Sequence, residues 1–266
     1  MNDTATEKTA SKSHAAGYPV RDIAFDAPWE WLAVGWRDLW RVWPISLAYG
    51  AVFAVLAFAL LIGLFMQGAQ AVILTLAAGF LLLGPLMAVG LYEASRRLSE
   101  GEPVYPSAIA LVKTASPMQL AYLGGVLMLL FLFWVRLAML LFALFFSHSD
   151  FPPIAEFVPM LLLSANGVGM LVVGTAIGAV LSVVAFAISV VSVPMLMSEE
   201  TDFFTAVATS IKSVVHNPKA MLLWAAIIAA LMILGMATLF VGLIVTFPLV
   251  GHATWHAYQA LVVTDE

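Results

Sequence analysis

The sequence predicts an all-α fold: a polytopic membrane helical bundle of six transmembrane helices arranged as three hairpins, each preceded by a cytoplasmic-side amphipathic helix. Three observations lead there. Of 266 residues, 63% are apolar and only 10% charged, six stretches are apolar over a bilayer's thickness, and a proline-marked unit recurs three times. Soluble domains are about 45–50% apolar, and so few charges could not cover the surface of a soluble fold this size. The excess faces a second apolar solvent, the bilayer.

The elements follow in order. Residues 1–19 are polar and small, without the apolar core or cleavage context of a signal peptide, and read as a disordered tail. Residues 20–266 form one six-span membrane domain. From Trp29 to Trp43, the residues Trp29, Leu32, Trp36, Leu39, Trp40 and Trp43 fall on one side of a helical wheel, and Glu30, Arg37 and Arg41 on the other. Tryptophan favours headgroup depth, so this helix is expected to lie flat on the inner leaflet. Residues 201–216 repeat the pattern. There Phe203, Phe204, Val207, Ile211, Val214 and Val215 make the apolar face, against Asp202, Thr205, Thr209, Lys212 and Ser213. Residues 105–116 are a weaker third copy.

A hydrocarbon core of about 30 Å needs about 20 apolar residues in a helix. The predicted spans are 45–66, 69–93, 118–146, 167–197, 219–239 and 242–263. The last two are one apolar stretch, divided near Phe240 because an unbroken helix would be twice the bilayer's thickness; five spans is the alternative. Orientation follows from the cations. Lys8, Lys12, Arg21, Arg37 and Arg41 precede the first span, Arg96, Arg97 and Lys113 lie between the second and third, and Lys212 and Lys219 between the fourth and fifth. The loop 147–166 carries only Asp150 and Glu156. With an even number of spans both termini are cytoplasmic.

The repeat is carried by proline. Pro44, Pro117 and Pro218 each stand where a span would open, a position that tolerates the missing N–H. Pro85, Pro194 and Pro248 recur inside the second span of each pair, and Tyr92-Glu93-Ala94 stands at the same offset from Pro85 as Trp255-His256-Ala257 from Pro248. The units are about 28–97, 105–197 and 201–264.

Few residues are chemically suggestive. Arg136 is the only formal charge well inside a span, where burial costs at least about 2.5 kcal/mol. It either reaches the outer interface, with Asp150 or Glu156 in range, or serves as counter-ion to a headgroup, partner subunit or anionic ligand, or takes part in transport. His252 and His256 share one helical face, and with Glu93 they would offer two imidazoles and a carboxylate to a metal. Beside Trp255 and Tyr258 the same pair reads as an interfacial polar belt. A bis-histidine haem lacks an opposing histidine within any span. Gly174, Gly178 and Ser182 form a small-residue ridge for close helix packing. Cysteine is absent, which removes disulfides, thiolate sites and cysteine nucleophiles. No nucleotide loop, nucleophile with its base or paired carboxylate is visible, so neither enzyme nor cofactor is expected. A net charge of −5 with scattered cations points away from nucleic acid.

At Gly251-His252-Ala253-Thr254-Trp255-His256-Ala257-Tyr258, and at Trp31-Leu32-Ala33-Val34-Gly35-Trp36-Arg37-Asp38-Leu39, the chain resembles a family of bacterial predicted integral membrane proteins of unknown function, over residues 20–263. The resemblance implies a bacterial inner-membrane location. Some members are labelled putative cytochrome c oxidase subunit I, which implies at most an association with the respiratory chain. An oxidase subunit I needs about twelve spans and six ligating histidines, which this sequence lacks. The function expected is a lipid- or partner-binding accessory or assembly factor, with the bilayer, a membrane protein or a second copy as partner. A small-solute transporter or channel, and a metal or haem site at His252 and His256, are the alternatives.

Overall fold

Proline opens three long helices, as its spacing predicts. In the computed structural model, which describes residues 17–68, 72–146 and 154–263, an amphipathic helix α1 (Ala27–Arg41) leads through Pro44 into α2 (Trp43–Met66). Next come α3 (Ile73–Met87), α4 (Val89–Ser99) and the short α5 (Pro106–Ala110), before Pro117 opens α6 (Pro117–Phe146). Helices α7 (Ile154–Leu163), α8 (Ala165–Ser189), α9 (Ser192–Ser198) and α10 (Phe203–His216) precede Pro218, which opens α11 (Pro218–Ala237); α12 (Leu243–Leu261) is last. The loop 147–166 contains α7. The expected third amphipathic helix shrinks to the five residues of α5.

The in-span prolines act unequally. The ladder breaks at Ala88, three residues after Pro85, dividing α3 from α4, and at Val190 and Val191, just before Pro194, dividing α8 from α9. Pro248 leaves α12 unbroken. Among the described residues five helices are long and apolar enough to cross a membrane: Trp43–Met66, Ile73–Ser99, Pro117–Phe146, Ala165–Ser198 and Pro218–Ala237. The sixth expected span, α12, is not among them, because its second half carries His252, Thr254, His256, Tyr258 and Gln259. It is the bundle's central helix, packed on α1, α2, α4 and α11, and His252, Ala253 and Leu261 are fully buried. The division from α11 falls where expected: Leu239 and Phe240 take left-handed backbone angles, φ 53° and 66°, and Thr238 Oγ1 accepts from Gly242 N–H at 2.8 Å.

Both long amphipathic helices turn their apolar side outward. On α1 the residues facing the protein are Trp31, Gly35, Asp38 and Leu39, while Trp29, Trp36, Trp40 and Trp43 are exposed. Leu39, expected among the tryptophans on the membrane face, is instead part of the core. On α10 the buried residues are Thr205, Ala206, Thr209, Ser210 and Ser213, and Phe204, Ile211 and Val215 are exposed. The inward hydroxyls find backbone partners: Thr209 Oγ1 donates to Thr205 O at 2.7 Å, Ser213 Oγ to Thr209 O at 2.8 Å, and Ser210 Oγ accepts from Val191 N–H at 3.2 Å.

The two ends of the described chain meet. Arg21 N–H donates to Leu261 O at 2.9 Å and Val263 N–H to Pro19 O at 3.1 Å, around an antiparallel bridge between Val20 and Val262. Tyr18 N–H donates to Thr209 Oγ1 at 2.9 Å. Residues 17–19, expected in the tail, are therefore docked on α10 and the end of α12; residues 1–16 lie outside the described part.

Candidate functional site

Close helix crossings bring a chain of polar side chains into the core. Gly35 on α1 lies against α12 so tightly that a Cβ there would stand 2.6 Å from Ala253 N, and Gly50 on α2 meets the Ile244 carbonyl equally closely. These approaches set Asp38 (α1), Ser46 (α2), Ser95 (α4), His252 and His256 (both α12) side by side. The predicted shared face of His252 and His256 is real, but it points to serines and an aspartate rather than to Glu93.

The hydrogens of this chain assign themselves. Ser95 Oγ donates to Asp38 Oδ2 at 2.8 Å. Its single hydrogen is thereby used, so at the 2.8 Å contact with His252 Nδ1 it accepts. His252 then carries its proton on Nδ1, leaving Nε2 to accept from Ser46 Oγ at 2.8 Å. His256 Nε2 donates to the same Asp38 Oδ2 at 2.7 Å. Every step points toward Asp38, the one acid in the set, which is only 4% exposed. Burial pushes its carboxyl up, but hydrogen bonds from His256 and Ser95, with the charge effect of both imidazoles, outweigh that and hold it below its ordinary range.

A second feature lies on another face of α12. A cavity of about 650 Å³ is enclosed by α3, α4, α6, α8, α11 and α12, within the range of ligand sites. Its lining runs from Leu74 to Tyr92 along α3 and α4 and from Met170 to Ser189 along α8, about 27–28 Å in each case at helical rise. It is thus a slot nearly as tall as the hydrocarbon core. No charged side chain lines it, and edge residues such as Met139, Thr175, Ala179 and Val183 are exposed on helices of membrane-spanning character. Small residues make the space. The predicted ridge Gly174, Gly178 and Ser182 lines it, with a Cβ at Gly178 coming 3.2 Å from the Trp134 ring. Trp134 is fixed across the wall by its indole N–H, 2.8 Å from Thr75 O.

Residues 72–198 match a family described as predicted integral membrane protein (DUF2189). That stretch is just under half of the chain, and over it the chain is similar to this family. The match takes in α3 to α9, and so most of the slot's wall. It includes Ser95 but not Asp38, Ser46, His252 or His256, and neither of the two strings that carry the resemblance in the sequence. No curated protein and no solved structure matches the chain.

The remaining predicted positions separate. Glu93 is bound by its own helix: Arg96 contacts it at 2.8 and 2.9 Å and Arg97 at 2.6 Å, and Arg96 also pairs with Glu100. Glu93 therefore does not converge with the histidines, and among the described residues no three His, Cys, Asp or Glu side chains are grouped to hold a metal. Trp255 stacks on Tyr258, ring centroids 5.3 Å apart, and Tyr258 Oη accepts from Ser198 Oγ at 3.3 Å. The Trp255 indole N–H is buried with no partner among the described residues. Arg136 is exposed on the outside of α6, about 28 Å along the helix from Pro117. No described acid pairs with it; Asp150 lies outside the described residues.

Sequence reasoning missed Asp38, Ser46 and Ser95. Asp38 was within reach, since it stands two helical turns after Trp31 and so shares its inward face. The serines carry no such signal, because serine inside apolar helices commonly bonds its own backbone.

Proposed function

We propose that this is a non-enzymatic membrane protein that binds a bilayer lipid within the bundle, in an accessory role. The carrying observation is the slot. An enclosed empty void of its volume would cost on the order of 15 kcal/mol at about 24 cal/mol per Å³, comparable to the whole stability of a typical fold. An opening toward the acyl region lets lipid fill it instead. The outward tryptophans of α1 and Phe204 of α10, with the half-buried Phe203, support an interfacial collar around the same end. An apolar lining without charges favours this reading over passage of a small polar solute.

The docked chain ends support an even number of crossings, with α12 returning through the bundle and both termini on the side of Arg96, Arg97, Lys113 and Lys212. A cytoplasmic placement of that side follows the positive-inside rule. Arg136 then stands near the outer boundary, where its side chain reaches headgroups. An association with a respiratory complex is the role the resemblance implies, and co-purification in mild detergent addresses it together with a second copy as partner.

Native mass spectrometry of the purified chain tests the lipid reading. About one lipid retained per protein is expected, with retention lost in Ala138→Phe, which places a ring in the slot. A lipid-free protein, or equal retention by the variant, contradicts it.

A further inference from the structure

The slot is lined mostly by hydrocarbon, with hydroxyl-bearing residues at Thr75, Thr175 and Ser182 and, toward α4, at Tyr92, Ser189 and Thr254. Two of the last three are already used: Ser189 Oγ donates to Ala185 O at 2.6 Å and Thr254 Oγ1 to Val250 O at 2.7 Å. Tyr92 is different. It is 2% exposed, lines the slot, and makes no hydrogen bond to any described residue. A ligand oxygen in the slot would give the phenol the hydrogen bond that it does not make within the bundle.

Charge narrows the ligand. The acid nearest in sequence to Tyr92, Glu93, is held by Arg96 and Arg97, and no cation lines the slot to receive a phosphate or carboxylate. A charged headgroup would lose its hydration there without compensation.

We infer that the slot takes an uncharged lipid whose terminal hydroxyl or carbonyl oxygen hydrogen-bonds the Tyr92 phenol while its tail lies along α8. This rests on the lipid-binding reading of the same cavity and names the ligand's class. Ligand enters head first from the acyl region and leaves its tail toward the outer end of the slot.

The test titrates the full-length protein in mild detergent with 1-hexadecanol, hexadecyl phosphate and hexadecane, reading occupancy by native mass spectrometry and melting temperature. Hexadecanol is expected to bind at least about tenfold more tightly than hexadecyl phosphate. Tyr92→Phe, which removes only an unbonded hydroxyl, is expected to weaken hexadecanol about five- to tenfold and leave hexadecane unchanged. Equal affinity for the alcohol and the phosphate overturns the inference in the wild type alone, as does an unchanged hexadecanol affinity in the variant; either result leaves the broader lipid reading standing. Failure of the wild type to bind any of the three removes both.

Discussion

Asp38 shows how one side chain organises several helices. It accepts from Ser95 and His256 while buried, so removing a donor leaves a desolvated carboxylate underbonded. His256→Ala is expected to cost about 1–3 kcal/mol, read as a lower melting temperature in detergent. Because the carboxyl is held below its ordinary value of 3.8, its stabilisation is fully present above that value and lost as pH falls below it. Melting temperatures between pH 6 and 3 should therefore fall more steeply for the wild type than for Asp38→Asn; parallel curves would contradict the assignment. The histidine pair was legible from its spacing, but not its destination. Glu93 was expected to join it by repeat symmetry, yet Arg96 and Arg97, three and four residues along the same helix, lie closer to hand.

At the scale of the element, proline and hydropathy made most boundaries readable. Pro44, Pro117 and Pro218 mark real helix starts, and the turn near Phe240 is where the bilayer's thickness requires it. The wheel of α10 separates the exposed Phe204, Ile211 and Val215 from the buried Thr209 and Ser213, which bond backbone carbonyls, but Asp202 and Lys212, expected on the hydroxyl face, are exposed. Opposite sensitivities follow. Thr209→Leu should lower the yield of folded protein, since it crowds a fully buried site and removes the acceptor of Tyr18 N–H, whereas Phe204→Leu should leave it within error. Asp202 caps α10 by accepting from Thr205 N–H at 3.0 Å, and Asp202→Ala is expected to cost about 1 kcal/mol of thermal stability.

For the whole molecule, hydropathy revealed the membrane bundle, while the slot arises from tertiary placement of small residues that looked like a packing ridge. Gly174 and Gly178 do approach α6, but they also keep the space beside it open, and no one-dimensional pattern separates the two uses. The same scale decides the crossing number. α12 lacks the hydropathy of a lipid-facing span because the other helices surround it, yet Val20 and Val262 pair at one end of the bundle. A reporter fused after Val263 is expected in the compartment of one at Lys113 and opposite to one at Ser149; a C-terminal reporter sharing the Ser149 compartment would contradict six crossings. That a bilayer molecule completes the bundle can be checked in a density map of the full-length protein in lipid nanodiscs, where a continuous tube of density is expected along α8 from Met170 to Ser189, ending beside Tyr92. A bundle in which α8 closes onto α11 and no such density remains would contradict it.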